Sequence, residues 1–474
     1  MVLSCLFRCF IVLLTLVLSS FAVATRPNIL LITADDLGYG DLGSFGHPVI
    51  KTPNLDKLAE EGLRLTNYYA PSALCSPSRA GLMTGRHPYR TGIRSWIPHG
   101  SGVYLIEDEI TLAETLKAAG YSTSHIGKWH LNSDLASEVE PQPLDQGFDY
   151  FYGHNAFQVP TNLDPTNIYR NGELLPKQKG FTAELYVSEA INWLEQRDVV
   201  KPFFLNLSMA EPHVTFENPE EYNKMYAAFT KGPVVPIESG AAGPRKHELI
   251  SRGPGEYYAN ITFMDAQLGR LFGWLGEEGL SESTIVIFQS DNGPVTSDWL
   301  YWFELNAHGS TGGLRGRKHF LYEGGIRVPA IIRYPNLTRA GDVSHEILVG
   351  MDLFVTLTKL AGGEVPNDRP IDGIDVLKVL KGGTLPDRAI TWALSAVSEM
   401  QFAVRRGEWK MLSDGDLQPR QLFNLKEDPL EFFNLMPENP TVVKKLDQDL
   451  KEAVSSFRGD PFLPDQEMNF RFAQ

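Results

Sequence analysis

The run Cys75-Ser76-Pro77-Ser78-Arg79, continued by Thr84-Gly85, sets a thiol four residues ahead of a guanidinium. Pro77 suits the first turn of a helix and the apolar Leu82 and Met83 continue it, so Cys75 falls at a helix N-terminus. Backbone N–H groups and the helix dipole favour an anion there, and Arg79 lies one turn on, on the same face. A nucleophile position, a positive helix end and a guanidinium converge on one point. That is a setting for attack on an anionic substrate.

Two further sets carry charge. Asp35-Asp36 and Asp291-Asn292 each follow an apolar run. Three carboxylates and an amide oxygen make an all-oxygen set, suited to Ca²⁺ or Mg²⁺ rather than Zn²⁺. Either pair alone reads equally well as a helix cap or a solvated turn. The basic set comprises Lys128 and His130 in Gly127-Lys128-Trp129-His130, His213 in Glu211-Pro212-His213, and Lys318 shortly before Glu323-Gly324-Gly325 and Arg327-Val328-Pro329. Taken singly, each of these fits a surface or satisfied structural residue. His125, His308 and His319 are assigned to structure or to substrate loops.

The elements that must position these residues read as alternating strands and helices. Continuous apolar runs at 28–33, 121–126, 203–207 and 284–288 predict buried strands. Helices are predicted at 53–61, from the Thr111/Glu114 capping box to Gly120, around Val187, Ala190, Ile191 and Leu194, around Ile261, Met264, Leu268, Leu271 and Leu275, and at 352–360. Strand–helix–strand order predicts a large α/β domain whose mostly parallel sheet is sandwiched by helices. The acidic and basic sets lie beyond carboxyl ends of strands, where such sheets bind ligands, on the edge that holds Cys75. Past residue 385, short strands near 402–404, 409–412 and 421–424 and a helix over 441–457 predict a small antiparallel sheet plus helix. The organisation is residues 1–24, a signal peptide; 25–385, the catalytic domain; and 386–474, the C-terminal subdomain.

The 474 residues carry 43 Lys and Arg against 58 Asp and Glu, a formal net charge of −15. With no basic run, the overall field excludes tracking of a nucleic-acid backbone, so a local cluster must hold any anion. Arg8, the apolar stretch 9–18 and Ala22-Val23-Ala24 match a secretory signal cleaved after Ala24. An uncleaved membrane anchor is the alternative, but the stretch is short of the ~20 apolar residues of a span. Cys5 and Cys9 leave with the signal, and the mature chain keeps Cys75 alone, an unpaired thiol in an exported protein. Of the N-x-S/T sequons at Asn206, Asn260 and Asn336, only the last, after Tyr334-Pro335, reads as accessible.

Cys75-Ser76-Pro77-Ser78-Arg79 resembles the C-x-P-x-R signature of the formylglycine-dependent sulfatases of the alkaline-phosphatase superfamily, and residues 28–85 are most similar to the arylsulfatase A and N-acetylgalactosamine-6-sulfatase branch. The resemblance implies hydrolysis of sulfate monoesters of carbohydrates or aryl alcohols. It implies oxidation of Cys75 to formylglycine by a formylglycine-generating enzyme during export, which removes the lone thiol. It implies Ca²⁺, or Mg²⁺, held by Asp35, Asp36, residue 75, Asp291 and Asn292. Arg79 would support the hydrated aldehyde, and Lys128 and Lys318 would neutralise sulfate. His213 or Lys318 would protonate the leaving alcohol, while His130 would assist collapse of the diol. Partners are a small or glycan sulfate ester, not nucleic acid or membrane; the sequence sets no oligomeric state. A phosphomonoesterase or phosphodiesterase of the same superfamily, or a non-catalytic sulfoglycan-binding homologue, stands as the alternative. Secreted animal members carry disulfides, so one cysteine favours a bacterial exported enzyme, secreted or periplasmic, over a lysosomal one.

Overall fold

In the computed structural model, residues 26–215, 217–235, 250–295, 308–394 and 400–464 are described. The expected signal peptide lies outside them, as does most of the 295–313 loop. Ten strands form one sheet in the order Asp342–Ser344, Leu63–Leu65, Ala330–Arg333, Thr284–Ser290, Asn28–Ala34, Phe203–Ser208, Ser122–Lys128, Tyr150–His154, Tyr169–Arg170 and Glu173–Leu174. The five strands from Thr284–Ser290 to Tyr150–His154 are parallel to one another. Ala330–Arg333 runs antiparallel to both of its neighbours.

Asn28–Ala34 lies inside the parallel block, between Thr284–Ser290 and Phe203–Ser208, and is buried on both faces, which explains its unbroken apolar sequence. Because side chains alternate along a strand, Ile29 and Leu31 join one core, with Leu112, Leu116, Leu353 and Phe354. Leu30 and Ile32 join the other, with Leu55, Val187, Ala190, Met264 and Leu268. The helices Leu112–Ala118 and Met351–Leu360 therefore cover one face, and Pro53–Glu61, Thr182–Gln196 and Gly255–Glu277 the other. The Thr111/Glu114 capping box is formed in full. Asn206 and Asn260 are buried and Asn336 is exposed, as the sequon reading expects. Among the described residues, no helix is long and apolar enough to cross a membrane.

A separate antiparallel sheet runs Ala389–Ala393, Phe402–Arg406, Trp409–Ser413, Pro419–Asn424. Its first strand was not foreseen from sequence. One face packs on the Pro440–Arg458 helix through Val404, Met411, Leu446 and Leu450. The other packs on the large domain through Trp392, Ala403, Leu412 and Phe423 against Tyr69, Leu74 and Leu321. The Trp392 indole N–H donates to the Ala70 carbonyl at 2.9 Å. This small sheet thus backs the segment that leads into Cys75.

Candidate active site

Four strand ends and one helix start supply the site. Asp35 is the first residue past Asn28–Ala34, and Asp291 the first past Thr284–Ser290. The register of these paired strands sets the two carboxylates side by side: the Asp291 N–H donates to the Ala34 carbonyl at 3.1 Å, and the Asp36 N–H to Asp291 Oδ1 at 3.1 Å. Lys128 ends Ser122–Lys128. Before it, Gly127 has φ +110°, and a Cβ there would lie 1.8 Å from the Ser208 carbonyl oxygen, so only glycine brings Lys128 this close to the next strand. His213 follows Phe203–Ser208 on a turn whose Glu211 carbonyl accepts from the Asp35 N–H at 3.0 Å. Cys75 opens the Cys75–Thr84 helix, as its Pro77 suggested, and Gly85 ends that helix with φ +67°.

Around Cys75 the groups interlock. Its Sγ lies 3.6 Å from Asp35 Oδ1, 3.9 Å from Asp36 Oδ1 and 3.1 Å from Lys318 Nζ. Lys318 Nζ donates to both Asp36 oxygens, at 2.7 and 2.9 Å, and Lys128 Nζ donates to Asp35 Oδ2 at 2.6 Å. Arg79 grips Asp291 Oδ2 with Nε and Nη2 at 3.0 and 2.8 Å, while its Nη1 donates to the Lys128 carbonyl and to Ser208 Oγ. His213 turns Nε2 to within 3.5 Å of Asp36 Oδ2, its Nδ1 donating to the Val214 carbonyl. His130 sits apart from the carboxylates. Its Nε2 donates to the Ile97 carbonyl at 3.0 Å, and its Nδ1 is buried without a hydrogen-bond partner. Every residue of the expected set except His130 is therefore in direct contact with another of its members.

Burial decides the electrostatics. It pushes the Cys75 thiol up to about 12, against the pull of Lys128 and Lys318. Burial alone would raise Asp35, yet Lys128, His213, Arg79 and Lys318 hold its carboxyl well below the usual range. Asp291 stands at about 6 through burial and the neighbouring Asp35 charge. Burial works against the Lys318 ammonium, but Asp36 and Cys75 outweigh it and drive its pKa up. His213 is held at about 4 and His130 well below its ordinary value, burial leading in both. Three carboxylates and three basic side chains, Arg79, Lys128 and Lys318, meet in a buried pocket.

The donor chemistry fits a hard cation. Asp35, Cys75 and Asp291 offer ligand atoms all within 4.8 Å of one another. Asn292, whose Nδ2 donates to Asp36 Oδ1 at 2.6 Å, leaves its Oδ1 buried and unpartnered at the same place. Three carboxylates and an amide oxygen are ligands for Ca²⁺ or Mg²⁺.

Sequence reasoning passed over three supporting residues. Ser208 accepts from Arg79, Asn155 accepts from the His130 N–H at 3.1 Å, and the Phe157 ring lies beside both histidines. Ser208 could have been found, since it directly follows the predicted strand 203–207 on the edge that carries the carboxylates. Asn155 and Phe157 carry no such signal. Of the histidines set aside, His125 packs among Trp129, Phe148 and Phe151 and bonds Asn206, which makes it part of the core.

A pocket of this composition can bind a compact oxyanion beside a residue able to act as nucleophile. Comparison with known proteins agrees. The model of the family described as Sulfatase matches residues 27–363, and that of the N-sulphoglucosamine sulphohydrolase C-terminal region matches 316–458. Arylsulfatase A of Bos taurus is 35% identical over 93% of this chain and 89% of its own length. N-acetylgalactosamine-6-sulfatase of Canis lupus familiaris is 33% identical, over 81% and 72%. The crystal structure of Ps i-CgsB in complex with k-i-k-neocarrahexaose superposes with a TM-score of 0.77 at 26% identity, covering 90% of this chain and 93% of that one. With the fold, the pocket and these likenesses in agreement, the chain belongs to the sulfatase family, enzymes that hydrolyse sulfate esters.

Proposed function

We propose that this chain cleaves sulfate monoesters of carbohydrates or aryl alcohols with residue 75, oxidised from cysteine to formylglycine, as its nucleophile. One observation carries the reading: Cys75 Sγ lies within 3.6 Å of Asp35 Oδ1 and 3.1 Å of Lys318 Nζ, in a buried pocket that Arg79 and Lys128 close. A buried thiol held near its neutral form is a poor nucleophile, whereas the hydrated aldehyde offers two hydroxyls on one carbon. One hydroxyl attacks sulfur in line, its proton passing to the neighbouring Asp291 carboxylate, and the bond from sulfur to the alcohol oxygen breaks. The leaving oxygen takes a proton from Lys318, or from His213 where the charge of the bound sulfate draws a proton onto its Nε2. The second hydroxyl then gives its proton to His130, the carbonyl re-forms, and the bond from carbon to the sulfate oxygen breaks.

Lys128 and Lys318 offset charge on the sulfuryl oxygens, and Arg79 fixes Asp291 and the helix start in place. Asp35, Asp36, Asp291 and Asn292 would hold Ca²⁺, or Mg²⁺, whose Lewis acidity polarises a hydroxyl and the sulfate oxygens when bound. The neighbour crystallised with k-i-k-neocarrahexaose favours a glycan sulfate as substrate. In this reading residues 25–385 form the catalytic unit and 386–474 an appended one. A leader at 1–24 exports the chain past a formylglycine-generating enzyme.

Two measurements test the proposal together. Mass spectrometry of the residue 75 peptide from the native host should find the aldehyde. Cys75→Ala should release no sulfate from 4-nitrophenyl sulfate or from defined sulfated mono- and disaccharides, with an unchanged melting temperature. Unmodified cysteine, undiminished turnover in Cys75→Ala, or a preference for 4-nitrophenyl phosphate would each overturn it.

A further inference from the structure

We propose that Phe157 is a specificity-determining residue: a fixed aromatic platform that stacks on the ring bearing the sulfate ester. The inference rests on the sulfatase reading above and adds the class of organic group that the site prefers. All five basic residues of the site are buried, so a sulfuryl group among them leaves its organic half directed outward. Phe157 stands at that exit. It is 38% exposed, yet its ring centroid lies 5.4 Å from that of His213, 6.4 Å from that of His130 and 5.9 Å from Lys128 Nζ. An aromatic that touches three buried bases while keeping over a third of its surface in solvent has one side on the sulfate pocket and another free for a ligand.

The loop around Phe157 is held in place by bonds on both sides. The Phe157 carbonyl accepts from Asn167 Nδ2 at 2.6 Å, and the Val159 N–H donates to Asn167 Oδ1 at 3.0 Å. The Val159 carbonyl accepts from the Thr166 N–H at 2.7 Å. On the other side, Asn155 bridges the His130 N–H and the Asn132 carbonyl. A ring presented on a braced loop is pre-organised, so stacking on it sacrifices little conformational freedom. The chemistry it selects is a six-membered ring next to the ester oxygen, either the C–H face of a pyranose or the π face of an aryl group. An acyclic alkyl sulfate gains nothing from it.

The test measures binding, so that it stands whether or not turnover is observed. Calorimetry on Cys75→Ala and on Cys75→Ala/Phe157→Ala compares four probes: a methyl pyranoside 6-sulfate, 4-nitrophenyl sulfate, ethyl sulfate and inorganic sulfate. On the Phe157 parent, a ring ester should bind more tightly than ethyl sulfate. Phe157→Ala should weaken the ring ester about tenfold and leave ethyl and inorganic sulfate within about twofold, and Phe157→Trp should keep the ring preference. Loss confined to the pyranoside identifies a sugar-facing platform, and loss confined to the aryl ester an aryl-facing one. Equal weakening of inorganic sulfate would reduce Phe157 to packing for the histidines and overturn the proposal. So would ring esters that bind no better than ethyl sulfate. Sulfate release by the unmutated enzyme from the same esters tests the sulfatase reading separately, and its failure leaves the binding pattern to decide the role of Phe157.

Discussion

Lys318 binds both oxygens of Asp36 and faces Cys75 Sγ, so one ammonium orients a carboxylate and touches the nucleophile position. Its charge persists because Asp36 and Cys75 outweigh the penalty of burial. Lys318→Ala should lower kcat on 4-nitrophenyl sulfate by about 10²–10⁴-fold, the range for a lost proton donor and charge partner, with the fold intact by circular dichroism. A rise in KM alone, with kcat kept, would remove Lys318 from the chemistry. The legible part of the site is the part whose residue types have few other uses in that order: Cys75 with Arg79, the two acidic pairs, and Lys128 before His130. Ser208, Asn155 and Phe157 were not legible in this way. A serine, an asparagine or a phenylalanine serves many ends, and only the folded neighbourhood tells which.

Among elements, the C-terminal sheet reaches the site through buried charge. Lys410, on Trp409–Ser413, bonds Glu323 at 2.9 Å and Glu431 at 3.0 Å, and the Glu323 N–H donates to Glu431 Oε2 at 2.7 Å, just after the Lys318 segment. Lys410→Met leaves Glu431 buried without its cation, and Glu323 with only the longer contacts to Arg327 and Arg405, and should destabilise the protein by about 3–5 kcal/mol in urea unfolding, more than an exposed lysine would. A second contact of the same kind titrates. His87 stacks on Phe457 of the Pro440–Arg458 helix at 4.0 Å, and burial holds it at about 4 instead of 6.5. The unfolded chain takes up this proton between those values and the folded chain does not. The stability from neutral His87 is thus complete above pH 6.5 and lost as pH falls toward 4. His87→Phe should therefore flatten the acid limb of a stability profile by up to about 3 kcal/mol relative to the parent; parallel curves would refute it. Long apolar strands and capped helices were visible in the chain. Leu63–Leu65, Ala330–Arg333 and Ala389–Ala393 were not, because three to five residues carry too little periodicity and their pairing partners lie far along the chain.

For the molecule as a whole, an excess of 15 negative charges surrounds a pocket whose cations are fully enclosed. A cation bound only by the folded state raises stability by about 2.7 kcal/mol at a hundredfold excess over its Kd. Treatment with EDTA should accordingly lower the melting temperature and stop sulfate release, and Ca²⁺ or Mg²⁺ should restore both; a melting temperature indifferent to EDTA and to both ions would remove the cation from the reading. Layer order followed from the alternation of elements, whereas strand order did not, since it depends on pairings between distant segments. An inner strand, Asn28–Ala34, pairs on both sides with residues that follow it by well over a hundred positions. At a synthesis rate of about 5–20 residues per second, its partners appear on the order of ten seconds or more after it does. Through that delay the Cys75 segment has no sheet to close over it, and afterwards the side chain is 3% exposed. On the proposed reading, in which residue 75 is oxidised, the oxidising enzyme has to meet this thiol before the sheet closes, within a window timed by the arrival of Thr284–Ser290.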